Sequence, residues 1–510
     1  MKIRSMLAAL ALGCTLADAH SQASEIAVGP VTDVVESVFT SDLDVDTAFG
    51  GGDGTTFVDF PDLHNTRHDE GMRTFFHCDQ VSSGICLRES HYVVGRHFIG
   101  TTNDIIVAKL DNAGDLVGSF ANAGRLQLPT AMSTLRDVAY DLATDRLYFV
   151  GAQAVFVLPD LQFSVYCVQA ASGTACPNFG NPGNPTGYQF VVFDQGRSNA
   201  DVATRVLFDP AGFLYVAGYS DATDGYKVAL AKLDSTTGAL VSGFGNGGQV
   251  NYVVGARTTQ RDVNVFAMAL SDRADGKHLY LGGNFLTLGT DYDGYVMRID
   301  AATGAANDPR VMYFESDDGG TSLSDSVTAI AALANGDIAA VGPSATATPN
   351  RPAIMLARVH GDADLTFDEG FCGGGLCVQD FSVGVFGWRD TLPTAIGERP
   401  DNRDLVIGMQ AGTWTLDVVT GINRVSQKQV VQQYSASGIT LHAQQEFLFP
   451  ASDSDAAQQF TGGMTVSRYS VELTGSTVWS PSVDDVDVTI SRMVSNDAIF
   501  ASQFGASDSD

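Results

Sequence analysis

The segment Val228–Val250, VALAKLDSTTGALVSGFGNGGQV, restricts this chain more than any other feature, because blurred copies of it recur along most of the length. VALAKLD is apolar and short, as a strand is. Asp234–Gly238 supplies turn residues, with Gly238 free to take a positive φ. A glycine-rich hook with one aromatic follows, Phe244-Gly245-Asn246-Gly247-Gly248. A second half, VFAMALSD, the Asp275-Gly276 turn and HLYLGGN, brings the unit to four strand candidates.

Sharp hooks recur at Phe49-Gly50, Phe120-Ala121, Phe179-Gly180, Phe371-Cys372 and Phe504-Gly505, with blurred copies near Asp308 and Gln444. The first and last fit seven intervals of about 65 residues, a period within the range of repeat folds. A strand ending in glycine gives a second count: Gly95, Gly151, Gly218, Gly283, Gly342, Gly408 and Gly463, again seven. Four short strands per fixed period signal a β-propeller or a β-solenoid. Near the N-terminus, VFTSDLDVDTAFGGG matches the hook half of a unit; VTISRMVSNDAIFASQFG at the C-terminus matches a strand plus hook. Such ends favour a ring whose first and last blades share a sheet, whereas a solenoid needs polar caps. The expectation is an all-β, seven-bladed β-propeller, with about four antiparallel strands per blade, closed by the N- and C-terminal segments. Residues 39–510 form its single domain, 20–38 a linker or closing strand, and 1–19 a signal peptide.

The string LAKLD…GALVSGFGNGGQV and its counterpart LFDPAGFLYVAGYS resemble the delta-60 repeat family of bacterial secreted β-propeller proteins. The resemblance spans roughly residues 30–505. It is sharp over Val202–Asp300, fair over Ile105–Gly151 and Ser326–Gly408, and poor over Gly412–Pro481. It implies the fold and export. It implies no reaction, and no catalytic residue carries over.

Export is also readable from the residues. Met1-Lys2-Ile3-Arg4 is a basic start, Met6–Leu16 an apolar run too short to span a bilayer, and Ala17-Asp18-Ala19 an A-x-A cleavage site, so the mature chain begins at His20. Lipid anchoring through Cys14 is the rival, but Ala11 and Leu12 reverse the large-then-small order such a site uses. Six cysteines remain, in three close pairs that predict the disulfides Cys78–Cys86, Cys167–Cys176 and Cys372–Cys377. Each short loop contributes about 2–3 kcal/mol on a chain-entropy account. Sulfur-only zinc sites use C-x2-C pairs, which this chain lacks. The location is the periplasm, the cell surface or the outside of a bacterium.

A net charge of −30 becomes one unit more negative after cleavage. It repels nucleic acid and anionic lipid and suits a soluble exported protein or a calcium binder. Five of nine histidines, His64, His68, His77, His91 and His97, crowd the first repeat. His64 with His68 is a candidate zinc or copper pair, although HNTRHDEG reads as a loop with surface histidines. Acidic loops such as Asp291 with Asp293 are candidate calcium ligands, but no EF-hand loop is present and solvated turns are the simpler reading.

Basic residues stand in register before the turn in five repeats: Lys109, Lys232, Arg298, Arg358 and Arg492. Either each pairs with a carboxylate and pins blade packing, or together they ring the axial channel and attract an anion. The sequence holds no G-x-S-x-G, H-E-x-x-H or P-loop motif. The expectation is a monomeric, non-catalytic propeller that binds an unknown protein or glycan, without nucleic acid, transmembrane segment or cofactor other than calcium at a loop. The alternatives are an extracellular carbohydrate-active enzyme with its site at the channel mouth, and a structural or adhesion protein. Three or more carboxylates with Arg or His at the axis would favour the enzyme. Small and apolar residues there would favour binding.

Overall fold

A computed structural model describes residues 43–60, 68–82, 85–99, 102–130, 132–155, 160–193, 200–223, 225–254, 262–286, 292–306, 311–314, 324–345, 352–380, 388–416, 423–439, 445–447, 459–467, 470–480 and 485–495. Its regular elements are all strands. Two short ones come first, β1 (Leu43–Val45) and β2 (Thr55–Val58). Blade I is β3 (Asp69–Ser82), β4 (Ile85–Ile99), β5 (Thr102–Asp111) and β6 (Arg125–Pro129). Blade II is β7 (Thr134–Asp141), β8 (Arg146–Val155), β9 (Asp160–Gln169) and β10 (Tyr188–Val191). Blade III is β11 (Asp201–Asp209), β12 (Phe213–Ala222), β13 (Gly225–Asp234) and β14 (Gln249–Tyr252). Blade IV is β15 (Val263–Arg273), β16 (Gly276–Leu286), β17 (Tyr292–Asp300) and β18 (Val311–Phe314). Blade V is β19 (Ala329–Ala332), β20 (Ile338–Ala345), β21 (Pro352–Val359) and β22 (Leu376–Asp380). Blade VI is β23 (Trp388–Glu398), β24 (Leu405–Leu416), β25 (Asn423–Tyr434) and β26 (Gln445–Phe447). Blade VII is β27 (Gln459–Val466), β28 (Ser470–Ser480) and β29 (Asp485–Ser495).

Within each blade the strands pair antiparallel in chain order, from the axis outward. Blade VII is completed from the other end of the chain. Leu43 on β1 pairs with Ser495, and Thr55 on β2 pairs with Ser491, both on β29. The protein is a seven-bladed β-propeller closed by its two ends. Seven apolar clusters hold it, each between one blade and the next, including Phe49, Ile106, Val488 and Ile490 across the seam. A blade alone would leave both faces wet, so the stack supplies the core.

The repeating glycine has a steric cause. In six blades the innermost strand is bulged at one place, at Met72, Arg136, Thr204, Phe266, Thr394 and Gly462; in blade V, Thr328 stands there, just before β19. The bulge lowers the inner strand onto its neighbour. A Cβ on Gly95, Gly151, Gly218, Gly283 or Gly342 would overlap a carbonyl oxygen of the inner strand or, in blade V, of the segment leading into it, respectively that of Glu70, Thr134, Val202, Asn264 or Ser326. Two members of the sequence count move. Gly463 lies on the inner strand β27, and its place in blade VII is taken by Gly475, opposite Thr461. In blade VI the register slips by one, so that Met409 sits at the bulge and Gly408 faces Leu473 of the next blade.

Hooks join blades. Gly50, Gly180, Gly245 and Cys372 donate their backbone N–H to Ala113, Thr237, Thr303 and Ser437, each in the turn of the following blade, at 2.7–3.0 Å. The preceding phenylalanines, Phe49, Phe179, Phe244 and Phe371, are buried beneath that turn. The second hook residue takes positive φ, as at Gly245 (54°), and Ala121 (42°) and Cys372 (52°) adopt it without being glycine. The sequence unit therefore straddles two blades: Val228–Val250 is the outer half of blade III, and VFAMALSD begins blade IV. The blurred hooks near Asp308 and Gln444, Phe504-Gly505, Cys14 and the segments 1–19 and 20–38 lie outside the described residues.

Candidate functional site at the axial channel

The bulges turn one residue per blade toward the axis, so the inner strands of all seven blades line a cavity of about 570 Å³. Its wall is uneven. One position past the bulge, blades I to III carry Arg73, Asp137 and Arg205, whereas blades IV to VII carry Ala267, Ala329, Ala395 and Gly463. Met268, Ile330 and Met464 add to the apolar arc. The charged arc also holds Glu70, Arg96 and Arg136. Four arginines thus face two carboxylates, a net +2 in a chain of −30.

Both carboxylates are engaged. Asp137 receives Nε of Arg73 at 2.9 Å and the backbone N–H of Val206 at 3.0 Å, so it ties blades I, II and III together. Glu70 receives Nε and Nη2 of Arg96 at 2.8 and 2.5 Å and lies 3.0 Å from Nε2 of His68. Burial pushes the Glu70 carboxyl up, but Arg96 and His68 outweigh it and hold it below the usual range. Arg96 also donates to the carbonyl of Leu135 and lies over Phe98.

Arg205 gives Nε to the carbonyl of Phe266 in blade IV and Nη1 to that of Thr204 at 2.7 Å. Burial pushes its guanidinium pKa down and Asp137 opposes. Arg136 is exposed, lines the channel and bonds to no carboxylate among the described residues. Its charge reaches Arg205 and the hydroxyl of Tyr219.

None of the five in-register basic residues lines this channel. They lie on the third strand of their blades. Lys109 bonds Asp79 at 2.5 Å, Arg298 bonds Asp275 at 2.6 Å, and Arg358 bonds Asp337 at 3.0 Å. Lys232 donates to the carbonyl of Ala301 in the next blade at 2.8 Å, with its ammonium over Phe213. Arg492 holds Asp46 of the N-terminal segment at 2.5 Å and Asn112 of blade I at 2.9 Å. Cys167 takes the corresponding place in blade II and Gln433 in blade VI, where it donates to Asp404.

Cys167–Cys176 and Cys372–Cys377 are bridged, with Cα atoms 5.4 and 5.6 Å apart. Cys78 is also disulfide-bonded; the side chain of Cys86 lies outside the described ones.

The histidine-rich stretch is corrected by the structure. It is two strands, with His91 and His97 buried on β4 and His77 partly buried on β3. Their apolar neighbours had no loop signal to break. His97 faces Asp69 at 2.6 Å, and His91 lies 3.1 Å from the buried Glu472 of blade VII. His64 and Asp291 lie outside the described residues, and Asp293 sits on β17. Asp59, Asp69 and Asp487 are the one carboxylate trio among the described residues able to converge on a cation, within 4.8 Å. Asp69 is already bonded to His97 and to the N–H of Phe60.

The axial arginines were missed in the sequence because they lie outside the hook. Counting back from the strand-end glycines does not align them either: Arg73, Asp137 and Arg205 stand 22, 14 and 13 residues before Gly95, Gly151 and Gly218, because the inner hairpins differ in length.

No family model and no curated protein matches this chain. Among solved structures it is similar to a polysaccharide lyase, PL25 ulvan lyase bound to -[GlcA(1-4)Rha3S]-, at 9% identity and TM-score 0.42, covering 84% of this chain and 94% of that one. It is similar to Sqt1 of Chaetomium thermophilum at 10% identity and TM-score 0.39, covering 84% and 98%. The NanB sialidase from Streptococcus pneumoniae matches at 8% identity and TM-score 0.36, covering 86% and 70%.

Proposed function

We propose that this chain is an exported, non-catalytic propeller of the delta-60 repeat kind that binds a small ligand or a chain end in its axial channel. The observation that carries the reading is the wall itself. Four of seven blades present small and apolar residues, and the only two lining carboxylates among the described residues are each held by an arginine. A general acid or base must exchange its proton freely near working pH; Glu70, held ionised, is poorly suited to that. The disulfides support export. Among the described residues, no helix is long and apolar enough to cross a membrane.

The test is a thermal-shift screen of the protein from His20 onward against neutral and acidic glycans and small metabolites. It runs beside Thr394→Trp, which fills the lumen at a bulge. Hits that vanish in the plugged variant are expected. Hits indifferent to the plug refute the channel, and turnover of a bound glycan replaces this reading with the carbohydrate-active enzyme.

A further inference from the structure

Among the described lining groups, two arginines lack a counter-charge of their own. Arg73 and Arg96 are matched by Asp137 and Glu70. Arg136 is matched by none, although it projects from a bulge into the channel. Arg205 uses Nε and Nη1 on backbone carbonyls, which fix its fork and leave Nη2 without a partner among the described residues. Asp137, the carboxylate whose charge acts on Arg205, already takes Arg73 and the N–H of Val206. Elsewhere in this acidic chain, basic residues such as Arg298 and Arg358 are paired. Two adjacent guanidinium groups repel, and an oxyanion between them relieves that repulsion while accepting charge-assisted, bidentate hydrogen bonds. Tyr219 lies on the same wall, and Phe266, Met268 and Ile330 offer apolar surface to the rest of a ligand. A cavity of about 570 Å³ is within the usual range for small-molecule sites.

We propose that Arg136 and Arg205 form an anion subsite on the blade II–III wall that takes the carboxylate of a small organic acid. The inference rests on the channel being the binding site. The carboxylate is the shared chemistry; a sugar acid and an acyl chain are its two sources.

Calorimetric titration with galacturonate and octanoate, each beside its neutral counterpart, galactose or 1-octanol, separates them. The proteins are the wild type, Arg136→Gln, Arg136→Lys and Thr394→Trp. Because Arg136 makes no bond among the described residues, its variants retain the wild-type melting temperature. One acid binds, its neutral counterpart binds at least tenfold more weakly, and Arg136→Gln loses about tenfold or more while Arg136→Lys loses less. Binding weakens with added salt. Equal binding of acid and neutral form, unchanged in Arg136→Gln but lost in Thr394→Trp, overturns the subsite and leaves the channel standing. An acid whose binding survives Thr394→Trp overturns both. Absence of heat with either acid overturns the subsite, and the screen against the plugged variant then judges the channel separately.

Discussion

Replacing Phe244 by alanine tests how blades are held to one another. Its ring is fully buried between Tyr215 of its own blade, 6.2 Å away centroid to centroid, and the Asp300–Gly304 turn of blade IV. The ammonium of Lys232 lies 5.8 Å from its centre. Truncation removes the apolar transfer free energy of a phenyl group and leaves a hole that backbone hydrogen bonds keep open, since Gly245 remains tied to Thr303 at 2.7 Å and Gly248 to the carbonyl of residue 244 at 2.7 Å. Large-to-small changes at such sites cost about 3–5 kcal/mol. The loss should fall near the upper part of that range, because loss of the Tyr215 edge contact adds about 0.5–1 kcal/mol. Guanidinium unfolding, followed by circular dichroism and fluorescence so that coincident transitions license a free energy, measures it. Phe57→Ala is the control: its ring is 50% exposed on the edge strand β2, and its loss costs about 1 kcal/mol or less. If both variants unfold within ~1 kcal/mol of each other, the hooks do not join the blades.

Gly218→Ala forces a methyl group into the carbonyl of Val202 and lowers stability by more than ~3 kcal/mol, or prevents folding; Gly212→Ala, strained by its φ of 92° but in open space, costs only about 1 kcal/mol, and thermal melts rank the two. At the seam, Glu472 and Glu89 raise the pKa of buried His91 although burial opposes them. Its contribution is therefore complete below its unfolded pKa, near 6.5, and is lost as pH rises through the higher folded value. Glu472 is held low by His91 and Arg492 against burial, so its contribution is lost only as pH falls through that lowered value. His91→Gln should abolish the decline in stability above about pH 6.5, read from melting temperature across pH; an unchanged profile refutes the pairing. Cys167→Ala with Cys176→Ala should cost about 2–3 kcal/mol by chain entropy, and in the wild type mass spectrometry after alkylation should show that pair reduced only once the protein unfolds, as both cysteines are buried.

Much of the wheel was readable in the chain because its joints are backbone events with few residue solutions. A hook needs positive φ and a buried ring, so Phe-Gly recurs. A strand crossed by a bulged neighbour admits no Cβ, so glycine recurs at Gly95, Gly151, Gly218, Gly283 and Gly342. Where a side chain can substitute, the signal fades, as at Ala121 and Cys372, or where register slips, as at Gly408. The channel was harder to see. Its residues are set by inward position on the first strand, a column that tolerates Arg, Asp, Ala or Gly equally, so only structural alignment brings Arg73, Asp137 and Arg205 together. His91 and His97 illustrate the converse. Their polarity suggested solvent, but carboxylates from distant parts of the chain, Glu472 among them, allow burial.

Arg492 and Asp46, which clasp across the seam, are 446 residues apart. A ribosome releases Asp46 long before Arg492, so the N-terminal strands must wait, unmated, through nearly the whole of synthesis. Such late, long-distance pairing makes for slow completion, and until then β29 has no partner along its outer edge. Under the export proposed above, translocation as a loose thread, with assembly on the far side, would spare the cell interior that sticky interval. A chain cut short anywhere before its final hairpin would therefore yield an open arc rather than a smaller wheel.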